Sequence, residues 1–293
     1  MSNLQLPIRE FNIGIKTREI ITGEKDCASD RIRAKMIADC SEDIELYRYD
    51  TNYFTIIFHQ IDFEGLERHR EQSILNGLAI YDICDYTWLE NADVLRFAQE
   101  VDVVTVASQS LKDKIIEDGL KTTVYVIGDG HDLTNRRKKW HKDKAEWVVW
   151  FGYIENFVLL DEYLDVLKEN GLKLRIIAQR DNKKGDEFIK WDVNTYYDDI
   201  NNCDFALLPT NGVYKTNNKT VTAWLCGLPV AKTKEDMVNF IEKKARLEYL
   251  RDVDYYKFNI IKRAEEYRNL CVKYWGLKND TNLDWKQRIK NSG

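Results

Sequence analysis

The chain has 293 residues, of which 44% are hydrophobic and 32% are charged, and its formal net charge is −5. This length predicts two domains, and the composition is that of a globular rather than a disordered chain. The acidic balance offers no general attraction to nucleic acid, which binds clustered Lys and Arg.

The sequence also gives no support for a membrane-spanning protein or for a zinc site. No apolar run approaches the ~20 residues that span a bilayer, and the opening stretch MSNLQLPIREFN has no signal-peptide core. We therefore expect a cytoplasmic protein without stable membrane insertion. The six cysteines, at 27, 40, 84, 203, 226 and 271, include no CxxC pair. This spacing argues against a zinc site and a disulfide framework, and most of the cysteines are expected to be core residues.

The first half alternates between strand and helix patterns. A strand at about 11–21 is followed by a polar loop and by a helix from Arg31, with Asp30 or Ser29 as its cap. Further strands are predicted from the runs IELYRY, YFTIIFHQI, LAIYDIC, VDVVTVAS and TVYVIG, and helices from LERHREQSILNG and SLKDKIIEDGL. This alternation predicts a parallel sheet with helices on both faces.

The pattern restarts after a charged stretch at roughly 131–146, which is the predicted domain boundary. It continues with the strand WVVWFGYI, the helix VLLDEYLDVLKENG closed by Gly171, and the strands LKLRIIAQR, DFALLP and LPVAKT. We expect α/β domains at 1–133 and 145–275, each doubly wound and facing the other across a cleft. The residues 276–293 are expected to form a helix that packs back toward the first domain. Ligands of such folds bind at the carboxyl ends of the strands.

The basic cluster RRKKWHKDK, at 136–144, has two interpretations. It is either a solvated linker or a segment that contacts phosphates or anionic lipid.

Several familiar motifs are missing from the sequence. It contains no GxGxxG, GxxxxGK[ST], HExxH or GxSxG, so nicotinamide-binding, P-loop, zincin and serine-hydrolase functions lose their main support. An Asp-Val-Asp at 252–254 lies in a helical pattern, which disfavours a metal site of the Asp-x-Asp kind.

The order of several weak motifs resembles a known family. VVWFGYIENFVLLDEYLDVLKENGLKLRIIAQR, followed by YYDDINNCDFALLPTNGVYKTNNKTVTAWLCGLPVAKT, is similar to the donor domain of retaining, group 1 (family 4-like) glycosyltransferases of the GT-B fold. The matching features are Gly152 after a strand, Pro209 after a later strand, and GLPVA at 227–231. In the first half, SDRIRAK and VVTVASQSLKDKIIEDGLKTTVYVIGDGHD resemble the family more loosely. The resemblance implies two Rossmann-like domains and a nucleoside diphosphate sugar as donor, with no metal and no further cofactor.

The resemblance also implies which residues hold the donor diphosphate. Cations and helix N-termini stabilise such a leaving group. The expected donor-binding residues are Gly152, Tyr153, Arg180, Trp191, Lys215, Asn217, Asn218, Lys219 and Thr220. The two lysines are spaced i, i+4 at a helix start, the asparagines and Thr220 are expected to cap that helix, Arg180 supplies a further cation, and Trp191 stacks on the base.

The sequence departs from the family pattern at three positions. The two glutamates that family members usually carry here correspond to Tyr214 and Thr222, and the arginine that often follows the glycine loop corresponds to Tyr153. Ribose recognition, sugar specificity and catalytic competence therefore stay open.

In the first domain, Arg31 and Arg33 follow the loop after the first strand and are expected to face the diphosphate. His59 and Asp85 stand at predicted strand ends, where either residue could orient sugar or acceptor hydroxyls as a catalytic group. A structural role for each of these residues is the alternative.

Three functions are consistent with these patterns. The main hypothesis is a hexosyltransferase that moves a sugar, with retention, to a glycan, protein, lipid or modified DNA base. The second is a DNA base glycosyltransferase, suggested by a composition typical of phage proteins. The third is a catalytically degenerate protein that binds a nucleotide sugar. UDP is the working choice of nucleotide, while the base, the sugar, the acceptor and the oligomeric state stay open.

Overall fold

The computed structural model describes residues 12–17, 28–48, 51, 53–59, 78–89, 91–132, 138, 140–209, 214 and 216–274. These residues form two compact units. The first unit contains the described residues up to Asp132, then Tyr214 and Thr216, and those from Phe258 onward. The second unit contains the other described residues between 138 and 257.

A six-stranded parallel sheet forms the centre of the first unit. Its strands are β1 (Ile13–Lys16), β2 (Ile44–Leu46), β3 (Thr55–His59), β4 (Leu78–Ile83), β5 (Val103–Val106) and β6 (Val124–Val126). They lie in the order β2-β1-β3-β4-β5-β6, and each neighbouring pair is parallel. Four of them, β1, β3, β4 and β5, are buried along their whole length. Burial on both faces explains why the sequence shows apolar runs here rather than strict alternation.

A five-stranded parallel sheet forms the centre of the second unit. Its strands are β7 (Trp147–Phe151), β8 (Lys173–Ala178), β9 (Glu187–Lys190), β10 (Phe205–Leu207) and β11 (Val230–Ala231), in the order β11-β10-β7-β8-β9. The chain adds β8 and β9 on one side of β7 and then β10 and β11 on the other side. The direction of winding therefore reverses between β7 and β10, and open parallel sheets bind ligands at the carboxyl ends of the strands at such a reversal.

Helices connect these strands. The first, α1, is α-helical at Ala28–Asp30, π-helical at Arg31–Lys35 and α-helical again at Met36–Asp39. The others are α2 (Ala92–Glu100), α3 (Gln109–Glu117), α4 (Leu164–Glu169), α5 (Tyr196–Asn201), α6 (Asn218–Leu225), α7 (Lys234–Asn239), α8 (Lys243–Arg251) and α9 across 260–274. A 3₁₀ helix, Ile154–Tyr163, precedes α4, and shorter 3₁₀ turns lie at Thr87–Leu89 and Tyr256–Phe258.

The strands predicted from the apolar runs are present, but some boundaries differ. Helical structure is already present at Ala28, so Asp30 lies inside α1 rather than capping it. The predicted helix before Gly171 divides into a 3₁₀ helix and α4, and Gly171, with φ of 64°, closes it as expected. The edge strand β9 was not predicted, because its short segment EFIK is only partly buried.

The C-terminal boundary of the second unit differs from that of the predicted second domain. The residues 258–274 belong to the first unit, whereas the second domain was predicted to continue to residue 275. The predicted helices at 66–77 and 276–293 lie outside the described residues.

Cysteine burial agrees with the expected core role. Cys84, Cys203, Cys226 and Cys271 are buried, Cys40 is exposed, and all five are free thiols. Within the described ranges, none of the helices combines the length and apolarity that crossing a membrane requires.

Candidate functional site

The winding reversal of the second unit brings two predicted residues together. Gly152 follows β7, and Lys219 lies in the first turn of α6, the helix that follows β10. A Cβ atom added to Gly152 would lie 2.3 Å from Nζ of Lys219, and the glycine has a φ of 151°. The Gly152 amide donates to the carbonyl of Ile177 at 3.1 Å, which fixes the loop against β8. The positive φ favours glycine here, and a side chain at this position would displace the Lys219 ammonium group.

Trp150 borders the same ammonium group. Nζ of Lys219 lies 5.8 Å from the centroid of the Trp150 ring, which is within the range of a cation–π contact. Trp150 is itself buried against Phe157, whose ring meets it edge-on at 5.2 Å. The Lys219 side chain, which is partly buried, is thus held at the carboxyl end of β7 by a ring that belongs to the core.

The first turn of α6 differs from its predicted form. Asn217 occupies the N-cap position but makes no side-chain capping hydrogen bond, contrary to expectation. Asn218 is the first helical residue, and Thr220 is buried within the helix. A helix N-terminus without a side-chain cap favours an anion near its amide groups. Lys215 lies outside the described residues.

Arg180 and Tyr153 lie on loops that follow neighbouring strands. Nη2 of Arg180 donates to Oε1 of Glu155 at 2.7 Å, and both side chains are well exposed. This ion pair takes up part of the charge that was expected to face a phosphate. Tyr153, which stands immediately after Gly152, is 50% exposed, so the family's arginine is replaced by an accessible aromatic ring.

Trp191 follows β9 and packs on neighbouring aromatic side chains. Its ring centroid lies 4.4 Å from that of Tyr196, at an interplanar angle of 34°. The Trp191 side chain is partly buried against the core of the second unit, and its amide donates to the carbonyl of Ala178. The Tyr196 ring therefore covers part of the Trp191 indole that was expected to stack on a base.

The two positions where the family carries glutamates lie in different surroundings. Thr222 is buried in α6, and its hydroxyl donates to the carbonyl of Asn218 at 2.9 Å. Tyr214 belongs to the first unit, where it packs against Tyr86 with ring centroids 4.9 Å apart. Neither position supplies a carboxylate.

Arg33 has a different role from the predicted one. It is 2% exposed, and its guanidinium donates to both carboxylate oxygens of Asp82, at 2.8 and 2.6 Å. It also donates to Asp129 and to the hydroxyl of Tyr267. Burial opposes the charge on Arg33, but Asp82, Tyr267 and Asp129 together raise the pKa of its guanidinium. A side chain enclosed in this way does not face a phosphate.

His59 belongs to the same network and is fully buried. Its Nδ1 lies 2.7 Å from Oδ2 of Asp82, and its Nε2 lies 3.4 Å from Oδ1 of Asp30. His59 and Thr105 are the register partners of Asp82 on the two adjacent strands, and Thr105 donates to Asp82 at 2.6 Å. The predicted catalytic histidine is therefore one of a row of polar residues that cross the buried sheet.

The other predicted residues of the first unit are more accessible. Arg31 is partly buried on the π-helical turn of α1. Asp85 is partly buried two residues beyond β4, where its carbonyl accepts from the amide of Thr87 and its carboxylate lies 3.6 Å from Sγ of Cys84. Asp85 thus stays at the carboxyl end of the sheet, as its predicted role requires.

The sequence reasoning missed Lys16, the last residue of β1. Lys16 is 1% exposed, and its Nζ lies 4.4 Å from the centroid of the Tyr47 ring. Burial lowers the pKa of its ammonium group to about 7. A lysine that closes the apolar strand IGIK was the available signal, since a buried amine with a lowered pKa marks a candidate site.

Comparisons with known proteins define the fold. No protein-family model matches the sequence, and no curated protein matches it. The solved structure of Anabaena Alr3699/HepE in complex with UDP-glucose is 11% identical, with a TM-score of 0.66 over 89% of this chain and 99% of that chain. The apo form of the lipopolysaccharide outer core galactosyltransferase WaaB is 12% identical, with a TM-score of 0.52 over 94% of this chain and 100% of that chain.

A third match is partial. A point mutant of S. aureus TarM, in complex with fondaparinux, alpha-GlcNAc-glycerol and UDP, is 14% identical, with a TM-score of 0.52 over 74% of this chain and 55% of that chain. These likenesses, together with the two parallel sheets, confirm the predicted fold class. The chain is an α/β protein with two Rossmann-like domains, the GT-B fold.

Asp82→Asn tests the buried network. We expect the free energy of unfolding to fall by about 3–5 kcal/mol, because the substitution leaves Arg33 buried without its main counter-charge. Urea unfolding measures the loss. Asp93→Asn removes an exposed partner of Arg96 and should change the free energy of unfolding by less than about 0.5 kcal/mol. A loss below about 1 kcal/mol in Asp82→Asn would contradict a charged, paired network.

Lys16→Met tests the buried amine by its pH dependence. The ordinary pKa of a lysine is 10.5, whereas that of Lys16 in the folded protein is about 7. Between these values the unfolded chain binds one proton more than the folded chain, so the wild-type free energy of unfolding should rise with pH relative to Lys16→Met. Between pH 7 and 9 this relative rise should reach about 2 kcal/mol.

Urea unfolding of both proteins at pH 7, 8 and 9 measures the difference. The exposed Lys35 of α1 provides the matched control, Lys35→Met. Parallel pH curves for wild type and Lys16→Met would show that the amine is not desolvated in the fold.

Proposed function

We propose that the chain is a glycosyltransferase that uses a nucleoside diphosphate sugar as donor. The observation that carries the proposal is the ammonium group of Lys219, which lies against Gly152 at the winding reversal of the second unit. Helix α6, without a side-chain cap, begins at the same place. A cation and the N-terminal amides of a helix at this edge suit a diphosphate, which must be stabilised as it departs.

The comparisons support the choice of donor. HepE has been solved with UDP and glucose and with UDP-glucose, and the TarM mutant has been solved with UDP. We extend the proposal to UDP as the nucleotide and, from the resemblance of the second half to retaining enzymes, to transfer with retention and without a metal. In such a transfer the bond from the anomeric carbon to the diphosphate breaks, a bond to the acceptor oxygen forms on the same face, and the leaving diphosphate takes the acceptor proton. The anomeric configuration of the product, read by NMR, tests this part.

The two predicted catalytic residues of the first unit differ in whether they can contact a substrate. Asp85 stays as a candidate for orienting a hydroxyl, because it is partly exposed beyond the end of β4. His59 is completely buried, so any influence on the reaction would pass through Asp82 rather than through contact with a substrate.

Lys219→Met tests the donor site. The dissociation constant for UDP, measured by calorimetry, should rise by about ten- to a hundredfold, because a hydrogen bond to a charged group contributes about 1.5–3 kcal/mol. The melting temperature should stay that of the wild type. UDP-, GDP- and ADP-sugars tested in parallel identify the base.

Lys173→Met is the matched control. Lys173 also lies over a tryptophan of β7, with its Nζ 5.4 Å from the Trp147 ring, but it begins β8 and so occupies the amino edge of the same sheet. Its loss should leave UDP binding unchanged. Equal binding of UDP by wild type and Lys219→Met, or equal weakening by both substitutions, would reject Lys219 as the diphosphate ligand.

Gly152→Ala extends the same experiment. The added Cβ would displace the Lys219 ammonium group without removing its charge, so UDP affinity should fall in the wild-type background. In Lys219→Met the same alanine should cost much less, because the group that it displaces is absent. Additive effects would mean that Gly152 contacts the ligand independently of Lys219.

Turnover separates the enzyme from a degenerate binder. Slow hydrolysis of UDP-sugar that disappears in Lys219→Met supports a catalyst. Binding and thermal stabilisation by UDP-sugar, without hydrolysis or transfer to any acceptor, would support a non-catalytic nucleotide-sugar protein instead.

A further inference from the structure

An aromatic cluster lies at the carboxyl end of β4 in the first unit. The rings of Tyr86 and Trp88 meet edge-on, with centroids 4.5 Å apart, and Tyr86 and Tyr214 meet at 4.9 Å and an angle of 43°. Trp88 is buried at 6% exposure, whereas Tyr86 and Tyr214 are both partly exposed. The cluster therefore has a buried base and two partly exposed rings, and Nζ of Lys114 lies 6.0 Å from the centroid of the Tyr86 ring.

Hydrogen bonds fix the orientation of this cluster. Oδ2 of Asp118 accepts from the Tyr86 hydroxyl at 3.2 Å and from Nε1 of Trp88 at 2.8 Å. Lys114 donates to Oδ1 of the same carboxylate at 2.8 Å. Because their polar ends are anchored in the fold, the rings of Tyr86 and Trp88 are positioned before any ligand arrives, which lowers the entropic cost of binding.

Tyr214 belongs to the first unit although it is distant in the sequence from the other residues of this cluster. Among the described residues between 138 and 257, only Tyr214 and Thr216 belong to the first unit. Tyr214 packs against Tyr86 within this unit, so one ring of the cluster comes from a distant part of the sequence.

We infer that Tyr86 and Tyr214 form a stacking platform for one neutral pyranose ring of the substrate. The inference rests on the proposed function, because the substrate meant here is the sugar donor or the acceptor of that reaction. The C–H groups of a pyranose carry partial positive charge and pack on the negative face of an aromatic ring, while the sugar hydroxyls stay at the rim. The carboxylate of Asp85, one residue before Tyr86, is of the type that accepts from those hydroxyls.

The charges around the platform favour a neutral ring. The nearby cation, Lys114, is engaged by Asp118 and Glu117. The carboxylate of Asp85, one residue before Tyr86, repels an anionic group. A sugar without a charge therefore suits this surface better than a phosphate or a uronic acid. Donor and acceptor sugars share this chemistry, and the experiment below separates the two sources.

Tyr214→Ala and Tyr214→Phe in the full chain test the platform. The probes are UDP, the UDP-sugars of glucose, galactose and N-acetylglucosamine, and the methyl glycosides of glucose, galactose, mannose and N-acetylglucosamine, each titrated by calorimetry. Tyr214→Ala should weaken the binding of a sugar-containing probe by about tenfold, the size expected for the loss of one aromatic contact. Tyr214→Phe keeps the ring and should bind as the wild type does.

Tyr125→Ala is the matched control. Tyr125 also pairs with a tyrosine, Tyr274, at a centroid distance of 5.7 Å, but it lies on β6 at the edge of the sheet. Its loss should change the melting temperature without changing affinity for any sugar. This comparison separates the loss of a binding surface from a general loss of stability.

The outcomes distinguish the platform from the donor site. Weaker binding of a UDP-sugar with unchanged binding of UDP assigns the donor sugar to the platform, and weaker binding of a methyl glycoside alone assigns the acceptor. Wild-type affinity of Tyr214→Ala for every probe, no sugar-dependent binding by the wild type, or an equal loss for UDP itself overturns the platform. If the platform is overturned but UDP binding still depends on Lys219, the proposed function stands. If the wild type binds a methyl glycoside through Tyr214 but does not bind UDP, the platform stands and the proposed function fails.

Discussion

A single buried carboxylate, that of Asp82, connects most of the first unit. It accepts hydrogen bonds from Arg33, Thr105 and Tyr267 and lies 2.7 Å from Nδ1 of His59. Burial opposes its charge, but Arg33 and His59 together hold the pKa of Asp82 well below its usual value. Since a buried charge is tolerated only when it is paired and hydrogen-bonded, the elements that carry these partners must pack together. The partners come from α1, β3, β5 and α9, so one charge links segments up to 185 residues away in the sequence.

This requirement explains why two predicted functional residues of the first unit are structural. Arg33 and His59 had the chemistry and the strand-end positions of a ligand-binding site, but their polar atoms are used within the fold. Residues available to a ligand are those beyond the network, at the carboxyl end of the sheet. Asp85 and Tyr86 follow β4 there and are partly exposed, and they are therefore better placed to meet a substrate than the buried row.

The sequence predicted the central strands of the first unit well, because they are apolar runs that are buried along their whole length, whereas the partly buried edge strand β9 was missed. The resemblance to the glycosyltransferase family pointed to Gly152 and Lys219, and the structure brings these two residues together. The sequence did not predict the network around Asp82, because strand register decides that His59, Asp82 and Thr105 lie side by side. It did not predict the place of Tyr214 either, because the packing of Tyr214 on Tyr86 is a tertiary contact that local propensity does not encode.

The net charge of −5 constrains how such a protein holds an anionic donor. At physiological ionic strength charges are screened over about 8 Å, so repulsion by the net acidic surface is largely lost beyond that distance. Affinity must then come from cations in direct contact with the ligand. Lys219 is held by Trp150 and given room by Gly152, whereas the more exposed Arg180 is paired with Glu155. A positioned ammonium group that is partly buried interacts with a phosphate more strongly than a solvated arginine does. In the proposed donor site, the placement of Lys219 rather than an excess of positive charge would provide the contact with the phosphate.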